Sequence, residues 1–126
     1  MKKLDYTIVF VSEMKRSVAF YRDVLDIPLK FESPHWTEFA TDGTTLALHP
    51  ASAGGRDRPT AGHNAAGTCH LGFMVENLNE FHQKMLAHNV HCIQSPKVVE
   101  DVGGPLAIYA DPDGLPISVG ESRKDK

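Results

Sequence analysis

The sequence predicts an α+β protein built from two copies of one strand–helix–three-strand module, written βαβββ. Residues 4–11 are rich in β-branched and aromatic side chains, as strands are, and residues 70–75 are a second strand candidate. Each segment precedes a stretch with apolar residues at helical spacing and then several short strand candidates. Tyr6–Val11 also aligns with His70–Val75 at an offset of 64 residues. Because one module alone cannot close a core, the repeat predicts that both copies share one sheet.

The first module is predicted to cover residues 4–50. Apolar side chains recur from Met14 to Leu25 at the spacing of a single helix. Asp26 follows where the helix has to stop, and Pro28 prevents it from resuming. Three short strands are predicted next, near 29–33, 36–41 and 44–49, with Asp42-Gly43 as a hairpin turn.

A linker is predicted at 51–67, where glycine and small polar residues dominate, and the second module at 68–121. Its helix carries Leu78, Phe81 and Met85 on one face, and Asn89 stands where helices often end in a left-handed residue. Strands are predicted near 90–94, 104–110 and 115–119, with a weaker candidate at 97–100. The length of 126 residues predicts one domain, residues 1–126.

Composition and charge argue against several classes of protein. The formal charge of −3 and the absence of a basic stripe give no support to nucleic-acid binding. No apolar run approaches the roughly 18 residues of a membrane span, and the first residues do not resemble a signal peptide. Cys69 and Cys92 lie in strand-like runs, which favours two buried free thiols. We therefore expect a cytoplasmic protein that binds neither nucleic acid nor membrane.

Local motifs resemble one family in particular. Residues 17–25 match an "S-x-x-F-Y-x-x-x-L" opening helix, residues 70–73 an "H-x-x-F" strand, and Asp111–Gly114 a closing "D-P-D-G" turn. Over about residues 4–121 the chain resembles the vicinal-oxygen-chelate superfamily of glyoxalases, bleomycin-resistance proteins and extradiol dioxygenases. The resemblance implies paired βαβββ modules that form a curved sheet around a cleft, with helices on the outer face.

Strand alternation predicts which side chains face that cleft. Leu46, Leu48, Ile117 and Val119 should pack under the helices, so their neighbours must point the other way. By resemblance, Tyr6 and His70 face the same side, with Ile8, Phe10, Gly72 and Met74 along the same strands. Trp36 is either core or a stacking platform for a flat ligand. The candidate ligand-binding residues are Tyr6, Trp36, Ala47, His49, His70 and Ser118.

The resemblance also raises the question of a metal. Enzymes of the family hold a divalent ion with His, Glu or Gln at four cleft positions, which correspond here to Tyr6, Ala47, His70 and Ser118. Only His70 is a strong ligand, because alanine has no donor atom and hydroxyl groups coordinate poorly unless they are deprotonated. We therefore expect no cofactor. A rearranged divalent-metal site made from His70, His49 and Glu38 remains the alternative.

These observations predict a small-molecule-binding protein with a degraded metal site, of the kind that sequesters a ligand or drug. The alternative is a metal-dependent lyase, isomerase or dioxygenase that acts on a small oxygenated substrate. A third possibility is a partner-binding domain whose cleft holds no ligand. No catalytic residue is identified in the sequence. Because members of the family often pair, a homodimer is expected, either domain-swapped or side by side.

Overall fold

The computed structural model describes residues 1–52 and 66–122, so most of the predicted linker lies outside the described residues. The chain divides into two compact units, Met1–Asp57 and Arg58–Lys126. Each contains one βαβββ module, which confirms the predicted α+β class and the internal repeat. The hydrogen bonds form two four-stranded sheets, one in each module, whereas the repeat had predicted one shared sheet.

The first module runs from β1 to β4. Its elements are β1 (Tyr6–Val11), α1 (Met14–Ala19), a π-helical turn (Phe20–Val24), β2 (Leu29–Phe31), β3 (Thr37–Phe39) and β4 (Thr45–Pro50). The sheet order is β1-β4-β3-β2, in which β1 and β4 are parallel and the other pairs are antiparallel.

The second module repeats this order. Its elements are β5 (Leu71–Val75), α2 (Leu78–Ala87), β6 (Cys92–Val99), a 3₁₀ turn (Glu100–Val102), β7 (Gly104–Ala110) and β8 (Pro116–Glu121). The sheet order is β5-β8-β7-β6, with the same parallel and antiparallel pairs.

The central parallel pairs of the two modules also share their register. Ile8 lies opposite Ala47 in the first module, and Gly72 lies opposite Ser118 in the second. These positions are related by the two offsets visible in the sequence, 64 for the first strand and 71 for the last. Side chains at equivalent positions therefore point to equivalent faces of their own sheets.

One face of each sheet packs against its helix and forms the core of the module. The buried apolar residues include Val9, Val11, Val18, Tyr21, Phe39, Leu46 and Leu48 in the first module, and Leu78, Met85, Tyr109, Ile117 and Val119 in the second. The predicted inward direction of Leu46, Leu48, Ile117 and Val119 is confirmed. We call the opposite side of each sheet its open face.

Two elements differ from the prediction. The helix predicted from Met14 to Leu25 is α-helical only to Ala19, and its last turn is wider, with the Leu25 N–H donating to the Phe20 carbonyl at 3.0 Å. The candidates at 90–94 and 97–100 belong to one irregular strand, β6. Its register shifts between Gln94 and Lys97, a stretch that includes Pro96, which has no N–H to donate.

Both helical segments stop at a left-handed residue. Asp26 and Asn89 each have φ 59°, a conformation that Asn and Asp tolerate better than most side chains. The predicted stop signals at these two residues are confirmed. At the start of α2, the Asn77 side chain accepts a hydrogen bond from the Glu80 N–H at 3.0 Å and caps the helix.

Both cysteines are free, but the prediction that they are buried is wrong for Cys69, which is exposed. Cys69 precedes the first paired residue of β5, so the sheet does not enclose it. Cys92 is half-buried. Within residues 1–52 and 66–122, no helix is both long and apolar enough to cross a membrane.

Candidate functional site

Four rings form an aromatic cluster on the open face of the first module: Tyr6, Phe10, Trp36 and His49. The Trp36 centroid lies 6.1 Å from that of Tyr6 and 6.2 Å from that of His49, with interplanar angles of 84° and 77°. The Phe10 ring lies 5.7 Å from His49. Edge-to-face contacts of this kind are favourable and hold rings in defined orientations. Tyr6 remains 51% exposed, so the cluster is open to a ligand.

A tight turn before β3 positions Trp36. The Ser33 N–H donates to the Trp36 carbonyl at 3.1 Å, and the Trp36 N–H donates to Ser33 Oγ at 3.0 Å. Serine at the first position of a turn and proline at the second, here Ser33 and Pro34, are typical of such reversals. The turn therefore fixes the backbone of Trp36 directly before β3.

Glu38 fixes the orientation of that indole. It lies opposite Ala47 across the β3–β4 pair, which places its side chain on the open face and settles an orientation that the sequence could not. Trp36 Nε1 donates to Glu38 Oε2 at 2.8 Å, and Lys30 Nζ lies 3.5 Å from Glu38 Oε1. The indole N–H is thus already engaged, and what Trp36 offers to a ligand is its ring surface.

Ala47 and His49 occupy the same strand as predicted, with different environments. Ala47 is fully buried although it belongs to the open face, because it lies between Ile8 on β1 and Glu38 on β3. His49 is exposed, and its Nδ1 lies 2.7 Å from the Pro50 carbonyl oxygen. Because a carbonyl oxygen can only accept, Nδ1 carries the proton in this contact, and Nε2 is the nitrogen that can turn to a ligand.

The second module brings together the two remaining predicted residues. His70 Nε2 and Ser118 Oγ are hydrogen-bonded at 3.0 Å, although they lie 48 positions apart in the sequence. Ser118 also lines a cavity of about 680 Å³ on the open face of this module. The remaining lining is mostly apolar or glycine and includes Gly72, Met74, Leu106 and Gly120.

Some residues of this cavity were missed in the sequence. Gly72 and Met74 were placed on the correct face, but Leu106 and Gly120 were not considered. The repeat carried the signal for Gly120, since extending the alignment at offset 71 by one residue pairs it with His49. Leu106 lies opposite Gly120 on β7, a pairing that no sequence signal indicated.

The residues at the family's four metal positions do not fit a metal ion. Ala47 has no side-chain atom that can coordinate a metal. Nε2 of His70 is already hydrogen-bonded to the Ser118 hydroxyl. In the part of the chain that is described, no three His, Cys, Asp or Glu side chains converge as metal ligands would. Of the alternative set, His49 and Glu38 belong to the first unit and His70 to the second, and both oxygens of Glu38 already face Trp36 and Lys30.

Comparison with models of known protein families identifies one family. Residues 3–119 match the model of the Glyoxalase/Bleomycin resistance protein/Dioxygenase superfamily. Comparison with curated protein sequences finds no significant match.

Several solved structures share the fold. A glyoxalase/dioxygenase from Nostoc punctiforme has a TM-score of 0.83 at 18% identity, over 98% of this chain and 92% of that chain. A lactoylglutathione lyase from Agrobacterium tumefaciens has a TM-score of 0.74 at 19% identity, over 97% and 95%. A protein of unknown function from Agrobacterium tumefaciens str. C58 has 25% identity and a TM-score of 0.75, over 98% and 95%.

Proposed function

We propose that this chain, which belongs to the Glyoxalase/Bleomycin resistance protein/Dioxygenase superfamily, binds and sequesters a small planar molecule without the divalent metal of the family's enzymes. The observation that carries the proposal is the aromatic cluster, in which Trp36 presents a fixed ring next to Tyr6 and His49. A ring held in place before binding loses little entropy when a ligand stacks on it.

The contacts around the cluster favour binding over chemistry. The Glu38 carboxylate forms an ion pair with Lys30, with 3.5 Å between Oε1 and Nζ, and its Oε2 accepts a hydrogen bond from the Trp36 indole. Both of its oxygens therefore serve to position side chains. Ala47 occupies a position where a catalytic member of the family would carry a ligand. A lyase, isomerase or dioxygenase would need these residues to rearrange around an ion, and no observed contact favours that arrangement.

The free thiols of Cys69 and Cys92 suit a reducing compartment, and we place the protein's action in the cytoplasm on that ground. In such a setting, sequestration depends only on affinity and on the concentration of the protein. The aromatic cluster also carries two polar groups, the Tyr6 hydroxyl and His49 Nε2. Hydrogen bonds from these groups would orient a planar ligand on the rings.

The proposal can be tested by nuclear magnetic resonance, because Trp36 is the single tryptophan and gives one indole N–H signal. Titration with quinoline, a planar probe, should shift that signal with saturation. Tyr6→Ala should weaken binding by about 1 kcal/mol, the value of one aromatic contact, whereas Tyr6→Phe should retain most of the affinity. Leu86→Ala, at an exposed apolar residue of α2, is the control. An indole signal that does not respond to any planar probe would contradict the proposal.

A further inference from the structure

The open faces of the two modules differ at equivalent positions. The first module carries Ile8 on β1 and His49 on β4, and the second carries glycine at both counterparts, Gly72 on β5 and Gly120 on β8. The register that relates these positions is the same in both sheets. The first open face is therefore filled by side chains at two positions where the second is bare, and the second open face carries the cavity of about 680 Å³.

Backbone conformation does not explain these two glycines. The glycines with positive φ in the described part of the chain are Gly67, Gly103 and Gly114, and neither Gly72 nor Gly120 is among them. In the interior of a strand, glycine is instead unfavourable, because it loses more conformational entropy on folding and packs no side chain.

Close packing does not explain them either. A Cβ atom added at Gly72 would meet only the Ser118 carbonyl oxygen, at 4.0 Å. One added at Gly120 would meet Met74 Sδ at 3.7 Å and Leu106 Cδ1 at 3.8 Å, which are ordinary van der Waals distances. Since alanine fits at both positions, what the glycines leave is open space over the sheet.

We propose that Gly72 and Gly120 form the floor of a subsite within the second module for an uncharged apolar group, an alkyl chain or a small ring. This inference goes beyond the proposed function, since it concerns a site within the second module alone and names the chemical class that this site accepts. The side chains around the floor are apolar, with Met74 65% exposed and Leu106 facing Gly120. A flexible thioether adapts to apolar groups of different shapes.

Polar groups at the edge of the subsite limit what else can bind. The Ser118 hydroxyl, paired with His70 Nε2 at 3.0 Å, offers a hydrogen bond to a hydroxyl or carbonyl next to the apolar group. Among the described residues that line the cavity none is basic, so an anionic ligand would find no ion-pair partner there. The expected class is therefore a neutral molecule with one hydrogen-bonding group and an apolar extension.

A series of 4-alkylphenols from 4-ethylphenol to 4-hexylphenol tests this subsite by isothermal titration calorimetry. For the wild-type protein, affinity should rise about fourfold with each methylene that leaves water. The double variant Gly72→Ala/Gly120→Ala and the larger Gly120→Val should flatten this dependence. The double alanine variant should melt no lower than the wild type, because a Cβ atom is added at both strand glycines without a clash. Gly43→Ala, in the first module, is the matched control, since its Cβ would meet nothing closer than Thr41 Oγ1 at 4.0 Å.

The result separates this inference from the proposed function. A dependence on chain length that persists in folded glycine variants, or that is absent from the wild type, overturns the subsite, and the response of the Trp36 indole to quinoline is not affected by that outcome. Conversely, a chain-length dependence that the glycine variants abolish supports the subsite even if the Trp36 signal does not respond.

Discussion

The hydroxyl group of Tyr109 on β7 lies 2.8 Å from Nδ1 of His82 on α2, and this hydrogen bond joins the helix of the second module to its sheet. Tyr109 is only 2% exposed, and its ring also contacts those of Phe81 and His82. The pKa of Tyr109 is raised from 10 to about 12. Burial is the larger cause, and the electrostatic effect of the nearby Cys92 is the smaller one.

This raised pKa predicts a loss of stability in alkaline solution. Between pH 10 and about pH 12, the unfolded chain releases the Tyr109 proton and the folded chain retains it, so the free energy of unfolding falls as the pH rises. The contribution is fully present below pH 10 and amounts to at most about 3 kcal/mol. Urea unfolding at pH 9 and at pH 11.5 should show this decrease for the wild type.

Tyr109→Phe provides the comparison. It should be less stable than the wild type at pH 8 by about 0.5–1.5 kcal/mol, because the hydrogen bond to His82 is lost. It should also lose less stability than the wild type between pH 9 and pH 11.5. Parallel curves for the two proteins would show that Tyr109 does not titrate in this range.

Glu38→Ala should release the Trp36 ring. The carboxylate accepts the indole hydrogen bond at 2.8 Å, and without it the side chain can adopt other rotamers. We expect lower fluorescence anisotropy of Trp36 on the nanosecond timescale and a three- to tenfold loss of affinity for quinoline, equivalent to about 0.7–1.4 kcal/mol. The control is Glu32→Ala, which removes an exposed carboxylate just before the turn at Ser33. It should change neither the anisotropy nor the affinity. Equal effects of both variants would point to general electrostatics instead.

Added Ni²⁺ or Zn²⁺ should not raise the melting temperature of protein purified without a histidine tag and treated with a chelator. An ion stabilises a protein only if it binds the folded state better than the unfolded state, and a single imidazole such as His70 holds these ions weakly. Thermal melts during a metal titration measure this, with His70→Ala and His49→Ala as controls. Stoichiometric binding that both substitutions abolish would favour the enzyme alternative.

We expect the protein to form a homodimer that buries more than about 1,000 Å² in total. The edge strands β2 and β6 carry exposed Phe31 and Val98, and unpaired edges with apolar side chains favour association. Sedimentation velocity at micromolar concentration should show a dimer. Phe31→Glu or Val98→Glu should shift it towards monomer if that edge lies at the interface. A wild-type monomer under these conditions would contradict the prediction.

Much of the fold could be predicted because the two modules repeat. The offsets of 64 and 71 predicted which residues of the first and last strands are equivalent, and the pairs Ile8–Ala47 and Gly72–Ser118 confirm them. The helix ends at Asp26 and Asn89 were visible because few other side chains adopt a left-handed conformation easily.

The parts that were not predicted depend on contacts between distant segments. The direction of Glu38 follows from its pairing with Ala47, and periodicity alone could not assign a face to a three-residue strand. The closeness of Trp36 to Tyr6 depends on the turn at Ser33. The continuity of β6 through Pro96 was hidden because proline there reads as a break between two strands.

The two modules differ in length in one region. Asp26 and Asn89, which end the helical segments, are 63 positions apart, whereas Leu46 and Ile117, which lie opposite Phe39 and Tyr109, are 71 apart. The extra residues of the second module lengthen its outer hairpin, because β6 and β7 have 8 and 7 residues where β2 and β3 have 3 each. Peptide loops grafted between β6 and β7 should therefore be tolerated, which makes this hairpin a convenient position for epitope tags or for surface immobilisation.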